Sequence, residues 1–166
     1  MIQKFLQTYK EAFGNAVPLP VTFGYSHIPV TEINKIPRCM IGSIRKVCEG
    51  DSLTLSADNV LCGGGSLYTA FAPMQERLPQ FVSETEHYKQ TPEQIKKYIH
   101  RLDIHLTDKP YLNFVRMDKL SSLDEMEGIL FSPHLIYFRA CVHGLFMITM
   151  QMMLYVHGSH RDVVAL

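Results

Sequence analysis

The stretch NVLCGGGSLYTAF, Asn59 to Phe71, sets one cysteine and three consecutive glycines between two short apolar runs. Asn59 to Leu61 has strand composition, the glycines break the pattern, and Ser66 to Phe71 reads as the start of a short helix. Cys62 is therefore expected at a strand-to-helix junction. There the unpaired N–H groups and positive end of a helix favour a thiolate, the form that attacks and that binds metal. Glycines at 63, 64 and 65 supply backbone that approaches a ligand without side-chain obstruction or takes positive φ, and Gly64, the middle one, is expected to need this most. The same residues also fit a tight turn beside a buried cysteine. CGGGS is neither GxGxxG nor a phosphate-binding loop with lysine, so it carries no nucleotide signature.

Strand and helix patterns alternate on both sides of this stretch. Ile2, Phe5, Leu6, Tyr9 and Phe13 fall on one helical stripe that stops at Gly14 and Asn15. Val21 to Tyr25 has strand composition. Pro37 opens a second helix in which Met40, Ile41, Ile44, Val47 and Cys48 share a face and Gly50 is the C-terminal cap. Leu53 to Ser56 alternates as a short strand. Thr91, Pro92, Glu93 and Gln94 form a helix start, with Thr91 as N-cap and Gln94 able to reach back, and Ile95, Ile99 and Leu102 mark the buried side. Tyr111 to Met117 and Gly128 to Phe131 are the last strands. The expected class is α/β or α+β, a single domain with a mixed sheet and flanking helices.

The chain has 166 residues, 46% of them hydrophobic, which is enough for one domain with a sizeable core. Lys and Arg total 16, as do Asp and Glu, so no basic excess points to nucleic acid. The longest apolar run, Leu145 to Val156, is interrupted by Gln151 and too short to span a bilayer. The opening segment lacks the uninterrupted apolar core of a signal peptide. These features predict a cytoplasmic protein whose partner is a small molecule or a metal cofactor, with no nucleic acid and no membrane. Four cysteines in such a chain are free thiols, metal ligands or catalytic groups rather than staples. Cys39 and Cys48, nine residues apart, point to opposite sides of a helix. Cys48 shares the apolar phase and belongs to the core, which leaves Cys39, beside Arg38, as the second site candidate. His87, His100 and His105 lack a ligand spacing and read as surface residues, as do Glu84, Glu86, Asp124, Glu125 and Glu127.

Pro20-Val21-Thr22-Phe23, Ile36-Pro37-Arg38-Cys39-Met40, Leu53-Thr54-Leu55-Ser56 leading into Cys62-Gly63-Gly64-Gly65, and Gly128-Ile129-Leu130-Phe131 follow one another in an order that resembles the domain of unknown function 169 family. This is an uncharacterised prokaryotic group, also called ArCR-type. The resemblance covers about residues 1–131. It implies an α/β domain whose cysteines and glycines look like a site, with no established reaction.

After Phe131 the pattern stops. The segment 132–166 holds one acidic residue, Asp162, no lysine, four of the eight histidines and four of the nine methionines. A reading-frame slip would produce such a tail. Because methionine has the single codon ATG, a frame starting on the third base turns Met147-Ile148 into Asp, Met150-Gln151 into Ala and Met152-Met153 into Asp. With allowed codons elsewhere that frame reads as a continuation of the family pattern. Residues 132–166 are thus expected to be an atypical, out-of-frame tail on a domain of residues 1–131. The competing reading is a divergent Met-rich helix, Leu145 to Tyr155.

Three functional readings follow. The first is a small-molecule or metal-cofactor binding protein, redox active, with Cys62 and Cys39 as thiolate ligands of a metal or iron–sulfur centre and Gly63, Gly64 and Gly65 as the cradle. The second is an enzyme using Cys62 as a covalent nucleophile. The third is a structural or interaction domain in which the glycines only turn the chain. Binding ranks first, because no general base accompanies Cys62 at a recognisable spacing.

Overall fold

Alternation of apolar residues in three separated segments builds the centre of the molecule. In the computed structural model, which describes residues 1–15, 17–33, 40–131 and 154–156, strand β1 (Val21–Ser26) lies between β3 (Tyr111–Arg116) and β4 (Gly128–Leu130). Strand β2 (Ser52–Leu55) pairs with the far side of β3, and β5 (Leu154–Val156) with the far side of β4, giving the order β2-β3-β1-β4-β5. Every pairing is antiparallel, with Phe23 opposite Phe114 and Gly128, and Leu55 opposite Leu112. The class is α+β. The sheet, expected to be mixed, is antiparallel in all its described pairings. None of the helices between its strands serves as a crossover between parallel neighbours.

The period of two puts Val21, Phe23, Tyr25, Leu53, Leu55, Leu112, Phe114 and Leu130 in one core cluster, against Val47, Ile44 and Met40 of helix α2 (Met40–Glu49) and against Val60. Val47 and Leu55 are fully buried, each contributing on the order of 1.5–3 kcal/mol relative to exposure. Helix α2 stops as its sequence predicts. Gly50 takes φ +120°, its N–H reaches the Val47 carbonyl, and the Asp51 N–H reaches that of Lys46, both at 3.0 Å.

A second cluster joins Ile2 and Leu6 of helix α1 (Ile2–Phe13) to Met117, Leu120 and Ile129. The third packs Leu67 of helix α3 (Gly63–Tyr68) with Leu78 of the short helix α4 (Leu78–Gln80) and with Ile95 and Ile99 of helix α5 (Pro92–Arg101). Thr91 caps α5 as expected, its side chain accepting from the Gln94 N–H. The Gln94 side chain reaches one residue past the cap, accepting from the Gln90 N–H at 3.1 Å. No helix among the described residues is long and apolar enough to cross a membrane. Apart from residues 154–156, the tail after Phe131 lies outside the described residues, as do Pro37, Arg38, Cys39 and Cys141.

Candidate functional site

The glycines do not form the expected turn. They are themselves the first turn of α3, and Cys62, with extended backbone (φ −87°, ψ 135°), is its N-cap. The Gly65 N–H donates to Cys62 Sγ at 3.1 Å, so the sulfur takes the place that a serine or aspartate oxygen usually fills. Nor does Asn59 to Leu61 form a strand. Asn59 is buried; its side-chain carbonyl accepts from the Ser56 N–H at 2.8 Å, and its amide donates to the Thr54 carbonyl at 3.0 Å. These bonds hold the chain in a turn directly after β2, and a side chain competing for backbone partners is what keeps the segment out of the sheet.

The three glycines have different roles. A Cβ on Gly65 would stand 2.6 Å from Cys62 Sγ and 2.9 Å from Val60 Cγ1, so the cap closes only because position 65 has no side chain. A Cβ on Gly63 would meet only the flexible end of Gln75. Gly64, expected to be the most constrained, is not: it is helical, and Tyr68 Cε2 at 4.0 Å is the nearest atom to a Cβ built there. The described glycines with positive φ are Gly14 and Gly50.

Beyond the cap the polar groups are answered one by one. Ser66 Oγ lies 2.8 Å from the Val60 carbonyl and 3.1 Å from that of Cys62, and Thr69 Oγ1 donates to the Gly65 carbonyl at 2.7 Å. The Tyr25 hydroxyl donates to the Thr69 carbonyl at 2.7 Å and ties the end of α3 to the central strand. Burial, with the nearby Glu127 charge adding to it, pushes the Tyr25 phenol up to about 12. Cys48 lies against the core as expected, and burial raises its thiol above the ordinary value. Cys48 and Cys62 are both free. Among the described residues no group of three or more His, Cys, Asp or Glu side chains gathers as a metal site. His87, His100 and His105 are exposed, as expected.

Two features escaped the sequence. Asn113 and Thr54 form a buried polar knot in which Thr54 Oγ1 donates to Asn113 Oδ1 at 2.9 Å and accepts from the N–H groups of Val30 and Thr31 at 3.1 and 3.2 Å. The Asn113 amide donates to the Ile28 carbonyl at 2.8 Å, so the knot fastens the loop after β1 to the sheet. A lone Asn inside the apolar strand YLNFVR was the available signal. The second feature is a cleft of about 280 Å³ lined by Ser56, Asp58, Phe71, Asp108, Lys109 and Tyr111 among others.

Hydrogen bonds fasten segments that line this cleft. The Asn59 bonds hold the Ser56 turn, and the Thr107 N–H donates to the Ala70 carbonyl at 3.0 Å. Phe71 stands edge-on to Tyr25, with ring centroids 6.1 Å apart. Ser56 is 5% exposed, and among the described residues its Oγ is the buried side-chain polar atom without a hydrogen-bond partner. No protein-family model matches this chain, and it matches no curated protein and no solved structure.

Proposed function

We propose that this domain binds a small molecule in the cleft beside Ser56. One observation carries the reading: Ser56, a residue lining this concavity, carries a buried hydroxyl that has no hydrogen-bond partner among the described residues. Leaving a buried polar atom unmade costs on the order of 1–3 kcal/mol, and native chains rarely carry such a group without a role for it. The size suits a compact ligand, at the lower end of small-molecule sites, and an aromatic wall with a few polar groups is their usual lining. The free thiols at Cys48 and Cys62 fit a cytoplasmic setting. The Cys62–Gly65 element then acts as a scaffold, since the cap spends the sulfur and one glycine N–H on each other.

Kinship with the domain of unknown function 169 family is part of the same proposal and is supported by the order of the matching segments. NMR titration of labelled protein with a library of small aromatic, amino and acidic compounds tests the binding site. Resonances of Ser56, Asp58, Phe71 and Tyr111 should move together. Shifts confined to Cys62–Ser66 would return the site to the cysteine and its glycines, and a library that moves neither set would remove the reading.

A further inference from the structure

We draw no further inference here: the strongest candidate, the open cavity of about 560 Å³ between the turn at His87 and the start of α5, is lined, apart from the buried Ser83, by exposed side chains alone, and nothing in the structure shows what covers it.

Discussion

Ser66 and Ser56 are both buried hydroxyls, 8% and 5% exposed, one in the first turns of α3 and the other at the end of β2. Ser66 finds two carbonyls within 3.1 Å, and its neighbours Cys62, Thr69 and Tyr25 are likewise bonded. Ser56 finds none. The side-chain polar groups of the glycine-rich element that dominates the sequence are thus answered by the chain itself. The quieter turn before it is open. Ser56 Oγ is the buried side-chain polar atom among the described residues that breaks this rule, and the proposed binding reading rests on that exception.

The sharpest way to break this comparison is to crowd the closed side. Gly65→Val should destabilise the domain by about 3 kcal/mol in urea unfolding, because its side chain meets Cys62 Sγ and Val60 at once. Gly64→Ala, one residue earlier, should stabilise by about 0.5–1 kcal/mol, since the site is helical with open space around it. Equal effects at the two positions would mean that the sulfur cap does not organise α3.

A smaller effect should follow pH. The Tyr25 phenol is raised from 10.0 to about 12 by folding, so the native state holds its proton more tightly than the unfolded chain. Its contribution is complete below about pH 10 and is lost as pH rises toward 12. The loss should be on the order of 2 kcal/mol once the ring's partial exposure is discounted. Tyr25→Phe should flatten that part of the stability profile, and an unchanged slope would detach Tyr25 from it. The smallest contrast is between the two serines themselves. Ser66→Ala should cost about 1 kcal/mol, whereas Ser56→Ala should be neutral or stabilise slightly, because it removes a buried hydroxyl that has no partner among the described residues. A cost at Ser56 equal to that at Ser66 would show that its hydroxyl already has a structural partner.

The sheet was legible where local pattern suffices. Val21–Ser26, Tyr111–Arg116 and Gly128–Leu130 fall within a residue of the expected strands, and the Thr91 cap and the Gly50 stop are both present. Asn59–Leu61 was misread because two apolar residues suggest a strand, while the buried Asn59 side chain, which decides the matter, acts through bonds to Thr54 and Ser56. The glycines were read as a ligand cradle or a positive-φ turn centred on Gly64, whereas the constrained position is Gly65, which leaves room for the Cys62 sulfur and Val60. The cleft could not be read at all. Its walls come from residues around 56, 71 and 108, and only the folded sheet brings such distant segments together.

The strand order also constrains how the chain can be made. β1 is the central strand, yet its partners β3 and β4 begin at Tyr111 and Gly128, and nothing else in the sheet pairs with it. At ordinary synthesis rates the interval between Ser26 and Tyr111 leaving the ribosome is on the order of 10 s. Throughout it, Val21 and Phe23 have no ladder to join. Such late, long-range pairing makes folding slow and leaves the nascent chain open to aggregation. A chain arrested before Tyr111 should therefore remain open to proteolysis across Val21–Ser26, and protection there should appear only once β3 has emerged.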